Sequence, residues 1–348
     1  MTRPIGETGV SAIARTAIRG IVSALLMFAV PSGAGSQQPT KLLIAFGSYK
    51  DRGKYPTVTF YEHDGIANGK VIGTIPAVNL RSDSHPTLSH DGRWCAFTSE
   101  LENQTSRILL WDMQTKQVVE LPVLNDSPNS QQHAAISGDG RLIAFAAWNR
   151  PGASNRWDVL CFDVGTKTLA TPALWNSPGH DERMPSLSGD GRWLAMTTNA
   201  VNDAAGDTTA RGSVGQTDIV LWDRVAGHAV ALPNLNSPHR DVEPSLSADG
   251  RLIVFVSDRP GGIGGRDIYL YDRQSQQLIS LPGLNSTAHE QMPALSPDGR
   301  FVVFVSERVA GAGERDVYLY DRQSQKLLPT PDLNSKREEI DPCVIVLP

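Results

Sequence analysis

Six short stretches of this 348-residue chain gather the side chains that could do chemistry, and they recur at similar spacings. They read NLRSDSHP (79–86), VLNDSPNSQQH (123–133), ALWNSPGHDERMP (173–185), NLNSPHRDVEP (234–244), GLNSTAHEQMP (283–293) and DLNSKREEIDP (332–342). The candidate ligand-binding residues in them are His180, Asp181, Glu182, Arg183, His239, Arg240, Asp241, Glu243, His289, Glu290, Arg337 and Glu339. Brought to one channel mouth, this mixture would suit a polar ligand, a peptide terminus or a cation. Paired carboxylates are also the equipment of glycoside hydrolysis when their separation is right. On that alternative, one of Asp181, Glu182, Asp241, Glu243, Glu290 or Glu339 would be essential to a hydrolase or lyase acting on a carbohydrate or lactone. The plainer reading of any one of them is a solvated loop with internal ion pairs, each worth ~0–1 kcal/mol.

Asn-Ser or Asn-Asp recurs in five of the stretches, at Asn125, Asn176, Asn236, Asn285 and Asn334. Asn and Ser bond local backbone groups in turns, so a structural role is expected for these asparagines. Asp158, Asp218, Asp267 and Asp316 recur once per repeat and are expected to be structural for the same reason. The longest connection, residues 199–217, breaks the repetition. Its Asn202, Asp203 and Asp207 could ligate calcium, which takes oxygen donors. They match neither EF-hand spacing nor the nonapeptide calcium repeat, and a flexible polar loop is the preferred reading. Calcium is therefore the one cofactor kept open, and otherwise none is expected. The chain lacks G-x-S-x-G, H-E-x-x-H, a P-loop and a G-x-G-x-x-G after a strand. Cys95, Cys161 and Cys343 have no C-x-x-C partner and read as small buried hydrophobes.

The stretches are positioned by a repeat. LSHDGRWCAFTS (88–99), ISGDGRLIAFAA (136–147), LSGDGRWLAMTT (187–198), LSADGRLIVFVS (246–257) and LSPDGRFVVFVS (295–306) share one pattern. Their turn residues Asp91, Asp139, Asp190, Asp249 and Asp298 lie 48, 51, 59 and 49 residues apart. Each repeat reads as four strands. A short strand ending in L-S leads through an Asp-Gly hairpin into an apolar strand, as in Leu252–Ser257. A third apolar strand follows, as in 267–271, and then a fourth after a polar turn. Inner strands apolar at nearly every position must be covered on both faces, as stacked propeller blades are. Residues 41–76 supply strands two to four of a sixth repeat, and 339–346 supply its first strand. The expected fold is all-β, a six-bladed propeller of four-stranded antiparallel blades over residues 37–348. The C-terminal strand pairs with the N-terminal blade, which closes the ring and removes an open edge.

Composition fits a globular chain, with 40% hydrophobic and 20% charged residues. The formal net charge of −5, with Arg and Lys scattered among Asp and Glu, excludes a basic nucleic-acid-binding surface. Residues 1–36 read as a signal peptide, with Arg15 and Arg19 before an apolar run (21–30) and small residues after it. About ten apolar residues are too few to span a bilayer, so no stable membrane span is expected after cleavage.

S-x-D-G-R, an apolar strand and then Asp-Ile-Tyr-Leu-Tyr-Asp resembles the repeat of the TolB-like, WD40-like propeller family. The likeness covers about residues 41–348 and is clearest at 246–281 and 295–328. It implies a six-bladed fold, a periplasmic or secreted location and a protein-binding platform. TolB itself has a separate N-terminal α/β domain, so the resemblance carries over for the propeller alone. Together these readings favour a monomeric, non-enzymatic binding or scaffold protein with a protein or peptide partner in the cell envelope. The alternative is the channel hydrolase or lyase above.

Overall fold

The computed structural model describes residues 40–348 except 51–53, 77–80, 126–127, 149–155, 171–174, 178, 201–216 and 310. The signal-like segment and the calcium candidates Asn202, Asp203 and Asp207 lie outside the described residues. Among the described residues twenty-four strands form six four-stranded antiparallel sheets. Blades 1 to 5 begin with the inner strands Asp83–Leu88, Gln131–Ile136, Glu182–Leu187, Asp241–Leu246 and Glu290–Leu295. The sixth blade is split. Its inner strand, Glu339–Val346, pairs with Leu42–Ser48, which pairs with Thr57–His63 and then Gly69–Thr74.

The S-x-D-G-R motif builds the hairpin between the first and second strands. Ser89 Oγ donates to Asp91 Oδ1 at 2.6 Å and accepts the Trp94 N–H at 2.9 Å. Asp91 Oδ1 also accepts the Arg93 N–H. Gly92 turns the chain at φ 70°, where a Cβ would be strained. The same serine–aspartate bond recurs at Ser137, Ser188, Ser247 and Ser296. The motif's arginine then reaches the aspartate ending the third strand, as in Arg192–Asp223 at 2.6 Å and Arg251–Asp272 at 2.7 Å. These guanidinium bonds pull both carboxyls down to about 2.

The core is six cores, each between adjacent blades. Leu42, Ile44 and Phe46 of the split blade pack against Phe301, Val303 and Leu319 of blade 5. Val254 and Leu270 of blade 4 pack against Val302 and Phe304 on the other side of blade 5. Each such side chain contributes about 1.5–3 kcal/mol by leaving water, which is why these strands are apolar on both faces. Third-strand tyrosines tie neighbouring blades by hydroxyl bonds to backbone carbonyls. Tyr61 donates to Pro331, Tyr271 to Pro233 and Tyr320 to Pro282, at 2.7–2.8 Å. Cys95 and Cys161 are buried, and all three cysteines are free.

Candidate functional site

The inner strands do not run straight. Their pairing with the second strand slips by a bulge in the middle of each, for example between Arg183 and Ser186. In all six blades the third residue sits at a positive φ of 50–58°. These residues are His85, His133, Met184, Glu243, Met292 and Asp341, and none is glycine. Left-handed backbone costs an L-residue about 1–2 kcal/mol, and such positions cluster where proteins do something with a side chain. Proline follows in five blades and alanine in the other. Proline disfavours the right-handed helical region for the residue before it and has no N–H for the ladder, so it helps hold the bulge in place.

The bulge aims these six residues into the central channel. With the proline or alanine after each, they line a cavity of about 160 Å³. Around the ring the order is His85, His133, Met184, Glu243, Met292, Asp341, and the chemistry is lopsided. His85 Nε2 lies 3.4 Å from Asp341 Oδ1, and its Nδ1 is 3.0 Å from Ser84 Oγ. The His85 and His133 rings meet edge to face at 4.6 Å. Burial, helped by His85 and Arg183, holds His133 well below the usual imidazole range, so it is neutral. Across the ring, Glu243 Oε2 accepts the Met292 N–H at 2.6 Å, while the Glu243 N–H donates to Thr197 Oγ1 at 3.2 Å. Burial pushes the Glu243 carboxyl up and Asp341 adds to the rise, opposed by the Met292 N–H and by Arg240 and Arg266. His133 Nδ1 and Asp341 Oδ2 are buried with no hydrogen-bond partner among the described residues.

The channel continues past the prolines as a second cavity of about 180 Å³. Its far end is built by the variable residue of S-x-D-G-R. The His90 N–H donates to Gly138 O, Gly138 to Gly189, Gly189 to Ala248 and Ala248 to Pro297, at 2.8–2.9 Å. Pro297 has no N–H, so the series stops beside the split blade. The His90 imidazole lies over the glycines of the next two blades. A Cβ would come within 2.4 Å of it at Gly138 and 2.8 Å at Gly189. His90 therefore lies across this end of the channel.

Of the twelve residues singled out by sequence, Glu243 lines the channel cavity. Arg183 and Arg240 act on the ring electrostatically, through His133 and Glu243. Glu182, Asp241, Glu290 and Glu339 begin their inner strands and are fully buried between loops. Asp241 takes the Ser237 N–H and hydroxyl on one oxygen and Arg259 at 2.6 Å on the other. Glu290 takes the Ser286 N–H and hydroxyl, Ser306 and Arg308. Glu339 takes the Ser335 N–H and hydroxyl and Ser48. Glu182 accepts from Thr198, but its Oε2 has no partner among the described residues, and burial raises it to about 7. Asp181 accepts the Trp157 N–H, and Arg183 lies over the Trp157 ring. His180, His239, His289 and Arg337 are on the loops, with His289 and Arg337 exposed.

The recurring asparagines are structural. Asn176, Asn236, Asn285 and Asn334 each form a two-way amide bond to one third-strand residue: Val159, Ile219, Ile268 and Val317. In blade 1, where Asn125 ends a short helix, Pro122–Asn125, the third-strand Ile108 N–H donates to Gln131 Oε1. Asp267 and Asp316 accept the Gly264 and Gly313 N–H groups within their own loops. His85, His133, Met184, Met292 and Asp341 were not among the sequence candidates. Their signal is the residue before Pro or Ala at the end of each stretch, two places after the buried Asp, Gln or Glu.

The fold has solved counterparts. The chain is similar to TolB from Acinetobacter baumannii, at 17% identity and a TM-score of 0.59, over 88% of this chain and 66% of that one. It is similar to a putative TolB from Agrobacterium tumefaciens, at 18% identity and 0.52, over 89% of this chain and 99% of that one. The fold is that of the TolB-like propellers. Kuenenia stuttgartiensis hydrazine synthase is also similar, at 10% identity and 0.58, over 88% of this chain and 47% of that one. No protein-family model and no curated protein matches the sequence. Shared architecture at such identities speaks for the fold, and function has to be argued from the site.

Proposed function

We propose that the chain is a non-enzymatic binding propeller of the cell envelope, exported by its N-terminal segment, that receives a protein or peptide segment in the channel mouth. One observation carries this reading. The backbone is the same bulge in six blades, yet the side chains on it are two histidines, two methionines, a glutamate and an aspartate. A purely structural ring would be expected to repeat its chemistry, as the buried carboxylates two residues earlier largely do. Methionine is an adaptable, polarisable contact surface that tolerates varied partners. No helix among the described residues is long and apolar enough to cross a membrane.

On the hydrolase or lyase alternative, Glu243 is the candidate carboxylate that lines the channel cavity. The carboxylates of Asp241, Glu290 and Glu339 already hold strand and loop together, whereas Glu243 is in the channel and its carboxyl is raised in the sense a general acid needs. A photocrosslinking residue placed at Met184 tests the preferred reading against the same residue at the exposed turn position Val225. Adducts with envelope proteins or peptides from position 184 alone are the expected result. Equal yields from both positions, or none from 184, would sink it.

A further inference from the structure

The channel ring is acidic on one side. Glu243, Met292 and Asp341 are consecutive around it, so two carboxyl groups flank a thioether, and His133 on the opposite arc is neutral. The Asp341 side chain is only 6% exposed. Its Oδ1 faces His85, but its Oδ2 is buried without a hydrogen-bond partner among the described residues. A buried carboxylate oxygen without a donor is costly, and a ligand that supplies one removes that cost. Glu243 is bonded through one oxygen to the Met292 N–H. Two carboxyls on one arc disfavour an anion. Among the described residues, no three His, Cys, Asp or Glu are grouped so as to hold a metal ion. What fits is a small cation that brings its own N–H donors.

We infer that the ring is a seat for a terminal primary ammonium group, bound between Asp341 and Glu243 with its alkyl carbon against Met292 and the prolines. This rests on the channel-binding reading above and gives it a ligand chemistry. An ammonium carries three donors and a compact charge, which suits two acceptors on neighbouring blades. Beyond the prolines the His90 imidazole lies over Gly138 and Gly189 and narrows the channel. A primary ammonium at the end of a chain reaches the ring without the rest of the chain passing this point. The peptide form of this ligand is a free N-terminus, and a small alkylamine offers the same chemistry.

The test titrates the full chain by calorimetry with n-butylammonium and with a random hexapeptide library in two forms, free and N-acetylated. Each is repeated with Asp341→Asn and Glu243→Gln, which keep side-chain size and remove charge. Circular dichroism and thermal midpoints confirm that both variants are folded. The expected result is binding of butylammonium and of the free library, at least tenfold weaker for the acetylated library and for each variant. Equal binding of free and acetylated peptides would overturn the ammonium seat and leave peptide capture standing. Butylammonium binding with no peptide bound in either form would keep the seat, assign it to small amines and overturn peptide capture. No binding of butylammonium or of free peptides, or binding unchanged in both variants, would overturn the ammonium seat.

Discussion

Two positions on the same inner strand, two residues apart, have opposite fates. The first residue of each strand is Asp83, Gln131, Glu182, Asp241, Glu290 or Glu339. It is buried, nearly always acidic, and accepts hydrogen bonds in the seam between loop and strand. The third residue is His85, His133, Met184, Glu243, Met292 or Asp341, and it faces the channel. Both positions have the same backbone in every blade. Where the chemistry also repeats, the side chain serves the fold. Where it varies on a constant backbone, the position is free to serve a ligand.

The sharpest break of this comparison is at Glu290. Its carboxylate is fully buried and meets Arg308, which also stacks on the Tyr318 ring. Removing one partner of a buried pair strands the other, so Glu290→Ala should cost about 3–5 kcal/mol in urea unfolding. A loss under about 1 kcal/mol would mean that these carboxylates are not structural locks.

Glu182 occupies the same position without such a partner among the described residues. Ala200 stands where Arg259 and Arg308 stand in blades 4 and 5. Burial raises the Glu182 carboxyl to about 7, from an ordinary value near 4.5. The folded state therefore holds a proton that the unfolded state releases. Its contribution is complete below about pH 4.5 and is lost as pH rises through about 7, with a ceiling of about 3 kcal/mol. Urea midpoints should fall between pH 5 and pH 8, and Glu182→Gln should flatten that fall. Glu243 and Glu339 are raised by burial in the same sense and leave a residual slope. An unchanged slope in the variant would count against the assignment.

The smallest effect belongs to the ring. Met292→Leu keeps the side-chain volume and the backbone N–H that Glu243 accepts. It should change stability by less than about 1.5 kcal/mol. A larger loss would make the third position structural too and erase the contrast with Glu290.

Much of this architecture is written locally. Ser89, Asp91, Gly92 and Arg93 close a hairpin through contacts within a few residues, so S-x-D-G-R reports its own geometry wherever it recurs. Strands apolar at every position announce two covered faces, and leftover strands at both ends of the chain announce ring closure. The site was less legible. Sequence reached Glu243 among the charged loops, but it did not single out the other five ring residues. His85-Pro86 and Met292-Pro293 look like ordinary ends of polar loops.

The sequence by itself determined the all-β class, the number of blades, the split sixth blade and the structural asparagines at 176, 236, 285 and 334, because each follows from contacts between residues close in the chain or from a repeated spacing. Only the tertiary structure decided which side chains face the channel. Strand periodicity is two, so a single bulge sends a residue to the other face, and that bulge is stabilised by neighbouring blades. Glu290 and Met292 are two residues apart in sequence. One is sealed in a seam by Arg308 and the other meets whatever enters the channel, because five other strands surround it.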